Sequence, residues 1–221
     1  MTLFRVDTEH PIIIPSGKIH LDGILHIPID ASGIVLFAHG SGSSRFSTRN
    51  QYVARILNEA KLATLLFDLL TPEEEKIDTQ TREFRFDIEL LASRLVDATI
   101  WCTKQLVTHE LTIGYFGAST GGGAALVAAA KESKIVEAVV SRGGRPDLAC
   151  DSLQQVKAPT LLIVGSNDEP VIAMNQTALS KMHCIKKLEI VPGATHLFEE
   201  PGTLDKVAYL AKTWFAKYLT L

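Results

Sequence analysis

Residues 111–130 read LTIGYFGASTGGGAALVAAA. An apolar run ends at Phe116, Gly117-Ala118-Ser119-Thr120-Gly121 follows, and two more glycines lead into an alanine-rich run. A short apolar stretch bounded by glycine predicts a buried strand, and the alanine-rich run predicts a helix. The pattern between them is G-x-S-x-G, which allows two readings. Ser119 stands as a nucleophile on a sharp strand-to-helix turn, or the small residues only let strand and helix pack closely. In the first reading the free amides at the helix start face any negative charge that forms beside Ser119.

The rest of the chain has the alternation that the first reading needs. HPIIIPSGKIHLDGILHIP predicts two strands joined at Ser16-Gly17. GIVLFAH, LATLLFD, LTIGYF, IVEAVVS, PTLLIVG and KKLEIV predict six further strands. Helical spacing separates or follows them, at Tyr52, Ile56 and Leu57, at Ile88 through Cys102, near VIAMNQTALSKM, and in the stripe Leu204, Val207, Ala208, Ala211, Trp214, Phe215 and Tyr218. Such β-α alternation predicts an α/β fold: a mostly parallel sheet with helices on both faces, opened by an antiparallel hairpin. Ligands in such sheets bind beyond the carboxyl ends of the strands. The expected site therefore follows LFAH, LLFD, GYFG, VVS and IVGS.

A serine hydroxyl needs a base beside it, and the base needs an acid to fix its tautomer. Of seven histidines, His196 in VPGATHLFEEP and His39 in LFAHGSGSS stand at strand ends. Asp168 in LLIVGSNDEPV is the candidate acid, with Asp68 and Glu169 as competitors. Ser119, Asp168, His196 is the chain order nucleophile, acid, base of one known triad arrangement. Taken singly, Asp168 also reads as a cap before Pro170, and His196 as a loop histidine bonded to backbone. An oxyanion site needs two main-chain amides; Thr120 follows the nucleophile, and HGSG offers Ser41.

These stretches, FAHGSGSS, GYFGASTGGG, LLIVGSNDEPV and VPGATHLFEEP, resemble the α/β-hydrolase superfamily and, within it, the dienelactone hydrolase-like proteins. The likeness runs from about Gly33 to the C-terminus. It implies the α/β-hydrolase fold over one domain, residues 1–221, and the triad roles of Ser119, Asp168 and His196. Dienelactone hydrolases proper use a cysteine nucleophile, whereas position 119 is serine, so general serine esterase chemistry is expected: hydrolysis of a small carboxylic ester, lactone or thioester through an acyl-enzyme.

Composition narrows the partners. A net charge of −3 with no dense lysine and arginine block recruits neither nucleic acid nor an anionic membrane. Cys102, Cys150 and Cys184 are odd in number and widely spaced, which predicts no disulfide framework or metal site. HGSGSSR lacks the ending of a Walker loop, and no cofactor is expected. The opening MTLFRVDTEHPIII has no signal-peptide core and no run is long enough to cross a bilayer, so a cytoplasmic protein is expected. Monomer and homodimer both remain open.

For the substrate, RGGRPDLAC places Arg142 and Arg145 near the expected site edge. A pair of open guanidiniums would hold a carboxylate; the alternative is that Arg142 and Arg145 pair with Asp147 or Asp151 or sit in water. Arg45 and Arg49 invite the same two readings. No segment is long enough for a lipase-type lid, and LLTPEEEKIDTQTREFRF is expected to be a solvated loop. A second reading is a non-catalytic protein of the same fold that binds a small anion through Arg142 and Arg145.

Overall fold

A computed structural model describes residues 4–219. Its frame is an eight-stranded sheet: β1 (Glu9–Ser16), β2 (Ile19–His26), β3 (Gly33–Ala38), β4 (Leu62–Phe67), β5 (Thr112–Ala118), β6 (Val136–Arg142), β7 (Thr160–Gly165) and β8 (Lys186–Val191). The helices are α1 (Thr48–Glu59), α2 (Pro72–Thr81), α3 (Ile88–Lys104), α4 (Thr120–Lys131), α5 (Glu169–Lys181) and α6 (Thr203–Tyr218). The spatial order of strands is β1-β2-β4-β3-β5-β6-β7-β8. β1 and β2 pair antiparallel, β2 runs antiparallel to β4, and every later pairing is parallel.

Side chains alternate across each strand, so the buried strands feed two cores. Leu36, Leu65, Tyr115 and Val139 pack on one side under α3 and α4; Phe37, Leu66, Phe116 and Val140 pack on the other under α1 and α6. All of β3, β4 and β7 is buried, which is why their sequences are apolar without alternation. α4 is buried from Thr120 to Ala129, so it carries small apolar residues all round in place of an amphipathic stripe.

The strand order positions the site. From β3 the chain moves one way to β4, then crosses back to place β5 on the other side of β3. The loops after β3 and β5 therefore leave the sheet in opposite directions and open a crevice between them. HGSGSS follows β3, and Ser119 follows β5.

One expectation changes. LLTPEEEKIDTQTREFRF is no loop: Pro72–Thr81 forms α2. Thr71 accepts from the Glu74 N–H at 3.2 Å, and Glu74 accepts from the Thr71 N–H at 2.8 Å, a capping box with Pro72 at the first helical position. Buried Asp78 then closes the segment by accepting from the Phe84 and Arg85 main-chain N–H and from Arg85 Nε. Between β6 and β7 the chain forms a 3-10 stretch, Pro146–Gln155, broken at Cys150 (φ 46°, ψ −123°). Among the described residues no helix is long and apolar enough to cross a membrane.

Candidate active site

Ser119 is the residue between β5 and α4, at φ 51° and ψ −121°. That conformation is strained for any residue with a Cβ. It is held because the Ser119 N–H donates to Arg142 O at 3.2 Å, while the Ser119 carbonyl accepts from Gly122 and Arg145 N–H at 2.9 and 3.0 Å. The turn also needs closeness that only glycine permits. A Cβ on Gly121 would lie 2.1 Å from the Ala38 carbonyl oxygen. The packing role of the glycines and the reactive role expected of Ser119 thus fall on the same turn.

Ser119 and Asp168 hold the N-cap positions of α4 and α5, and neither side chain makes a capping bond. Serine and aspartate at such positions normally satisfy a free amide of the first turn. Here both turn to His196 instead. Asp168 Oδ2 lies 2.6 Å from His196 Nδ1, and His196 Nε2 lies 3.4 Å from Ser119 Oγ. With Nδ1–H donating to the carboxylate, Nε2 is the free acceptor facing the serine hydroxyl. The Asp168 side chain is 13% exposed and that of His196 38%, so the carboxylate is sheltered and the imidazole reachable.

Two competitors, Asp68 and His39, are engaged elsewhere, while Glu169 is exposed at the start of α5. Asp68 accepts from the Arg45 main-chain N–H at 2.7 Å and pairs with the Arg45 guanidinium. His39 is buried; its Nδ1–H donates to Gly40 O at 2.9 Å and its Nε2 accepts from Leu69 N–H at 2.9 Å. Burial pulls the His39 pKa below its ordinary value, against the opposing pulls of the Gly40 carbonyl and Asp68. A neutral imidazole in one tautomer thus braces the HGSG loop.

Ser41 and Thr120 face each other across the crevice, with their hydroxyl oxygens 3.1 Å apart. Among the described residues the main-chain N–H of neither donates a hydrogen bond to the protein. Gly40 packs directly on the serine, since a Cβ there would lie 3.0 Å from Ser119 Cβ. Next to this loop a cleft of about 450 Å³ runs between Gly42–Ser44, Phe46 and Ser47 on one side and Asp68, Leu70, Pro72 and Glu75 on the other. Helix α2 therefore forms a wall of the cleft. The T-P-E-E spacing that starts it was the signal that could have placed it from the sequence.

The two arginines expected to hold a substrate carboxylate do not form an open pair. Arg145 is bound through two parallel bonds to Asp147, at 2.8 and 2.7 Å. Arg142 is only 8% exposed, with its guanidinium over Phe198 and against Asn50. In RGGR, Arg142 ends β6 with its side chain toward the α1 and α6 layer, and Arg145 is spent on its near neighbour.

Comparison with known proteins agrees with the fold. The chain matches the Dienelactone hydrolase family over residues 23–220. A crystal structure of a dienelactone hydrolase from Anabaena variabilis superposes with a TM-score of 0.94 at 63% identity, covering 96% of this chain and 98% of that one. Est1E from Butyrivibrio proteoclasticus shares the fold at 18% identity, with a TM-score of 0.78 over 94% of this chain and 98% of its own. Proteins from two strains of Mycobacterium tuberculosis, provisionally named phosphoribosyl transferases, are 58% identical over 211 residues, 96% of this chain but 47% of their own length. The chain thus spans about half the length of these curated relatives. With the family matched across nearly all of its length, the chain belongs to the dienelactone hydrolase family.

Proposed function

We propose that the protein is a serine hydrolase that cleaves a small carboxylic ester, lactone or thioester. The observation that carries this reading is the pair of N-cap residues, Ser119 and Asp168, that leave their helices uncapped and meet at His196. Ser119 Oγ attacks the carbonyl carbon while His196 Nε2 takes its proton. Asp168 holds the imidazole and stabilises its protonated form. The unengaged N–H groups of Ser41 and Thr120 take up the charge on the carbonyl oxygen. Collapse of this intermediate expels the alcohol, protonated by His196, and leaves an acyl-Ser119. A water activated by the same imidazole then releases the acid.

A small ester held at Ser119 would extend toward the neighbouring cleft of about 450 Å³, which Ser43, Ser44, Ser47 and the start of α2 line. The alternative, a protein that only binds an anion, loses its support with Arg145 closed by Asp147 and Arg142 buried. The transferase name is attached to proteins of which this chain matches about half, so we assign only the hydrolase chemistry to the matched part.

A fluorophosphonate probe should label the protein, and Ser119→Ala should abolish the labelling. p-Nitrophenyl acetate should release a burst of p-nitrophenol equal to the enzyme present. Labelling that survives in Ser119→Ala would place the reactive group elsewhere.

A further inference from the structure

We propose that Arg142 is a positioning residue: its guanidinium clamps the turn that carries His196 to the start of α1 and the end of β6. The inference rests on the hydrolase reading above and adds to it a group that does not touch the substrate.

Arg142 is the last residue of β6, opposite Ala118 in the parallel pair, and its carbonyl accepts the Ser119 N–H. Alternation sends Ser141 toward α4 and Arg142 to the other side. There the guanidinium carbon lies 5.9 Å from the centre of the Phe198 ring, and Nη2 lies 3.5 Å from Asn50 Oδ1. Among the described residues no carboxylate pairs with it. Its charged neighbour is another cation, Arg49, and the Nε atoms of both arginines are buried without a partner. Burial and the Arg49 charge bring the Arg142 pKa down to about 10, which still leaves it protonated at neutral pH. A desolvated cation beside a like charge, with no counterion, works against the fold.

What the charge holds is the turn. Phe198 sits two residues beyond His196, is 2% exposed, and has φ 57°, a strained conformation for a bulky aromatic. Its N–H donates to Thr195 O at 3.3 Å, so His196 lies inside a tight turn whose far end is the ring under the guanidinium. A desolvated cation over a ring face attracts it strongly. Glu199, the next residue, reaches Arg49 on α1 at 3.2 Å. On the other flank Gly143 packs against His196, where a Cβ would lie 3.2 Å from its carbonyl oxygen and 3.5 Å from its imidazole. Shifting Phe198 would therefore swing the imidazole relative to Ser119, which is held by the same end of β6.

The test compares wild type, Arg142→Met and Arg142→Lys for thermal stability, p-nitrophenyl acetate turnover and fluorophosphonate labelling rate. Arg142→Met should melt about 2 °C or more above wild type, because a neutral, unbranched apolar chain replaces an uncompensated buried ion. Its kcat and labelling rate should fall at least tenfold while KM stays within twofold. Arg142→Lys keeps the charge without the planar fork and should fall between the two. A kcat for Arg142→Met within twofold of wild type would overturn the proposal. A variant that melts below wild type, or does not fold, would assign Arg142 to the fold and overturn it equally. Wild-type protein that neither bursts nor labels would remove the hydrolase reading and this inference with it; labelled wild type with an indifferent Arg142→Met would remove only the clamp.

Discussion

At the scale of single residues, Asp168 shows how a position and a side chain can serve different ends. Its backbone begins α5, with its carbonyl accepting the Ile172 N–H at 2.9 Å, while its carboxylate serves His196. Asp168→Asn should therefore lower kcat by about 10³–10⁴-fold, since an amide no longer fixes the productive imidazole tautomer. With no capping bond to lose and only the bond to His196 weakened, stability should fall by about 1 kcal/mol. Steady-state kinetics and thermal melting of the one variant check both halves. The residue types and their order, Ser119, Asp168, His196, were legible in the sequence because each falls just past a strand. The burial of Arg142 was not, because Phe198, which packs beneath its guanidinium, is 56 positions away along the chain and near only in space.

At the scale of elements, α2 is the instructive case. Its residues PEEEKIDTQT are too polar to show an apolar stripe, and among them only Asp78 is fully buried. The helix depends on its ends: the capping box at Thr71 and Glu74, the Glu74–Arg94 pair at 2.5 Å, and the Asp78 network. Thr71→Ala should cost about 1 kcal/mol, read from chemical denaturation. Burial pushes the Glu74 and Asp78 carboxyls upward, but Arg94 and the Thr71 amide for Glu74, and Arg85 and the Phe84 amide for Asp78, outweigh it and hold both pKa values below their ordinary range. A carboxylate with a depressed folded-state pKa stabilises the fold above its unfolded value, about 4, and that contribution disappears as the pH falls through the folded value. Stability should thus be insensitive to these two groups between pH 7 and 5 and fall below about pH 4. Asp78→Asn should start from a lower plateau and show a shallower acid slope in denaturation curves taken at successive pH values. Because α2 depends on these two carboxylates at its ends, amide exchange should show its protection lost earliest in acid.

At the scale of the whole molecule, the sheet sets where chemistry can occur. β3 and β5 lie side by side although β4 separates them in sequence, and this crossing places the HGSG loop against the Ser119 turn. Beneath that crevice Phe37 and Phe116 pair with ring centres 5.0 Å apart, both essentially unexposed. Phe116→Ala should cost about 3–5 kcal/mol, measured by denaturant unfolding, since it opens a cavity between two layers. Whatever fraction stays folded should still label with fluorophosphonate, because Phe116 touches no reacting group in the proposed mechanism.

The sequence by itself determined the strands, most of the helices and their alternation, because burial on a sheet or along a helix stripe imposes a local period that can be read along the chain. It also determined which residue types stand at strand ends, and hence the triad candidates. Only the tertiary structure decided which charges are free. Arg145 is taken by Asp147, Asp68 by Arg45, and Arg142 is sealed under the His196 turn without a counterion. Pairing energies depend on distance and dielectric in three dimensions, and the chain carries no local period for either.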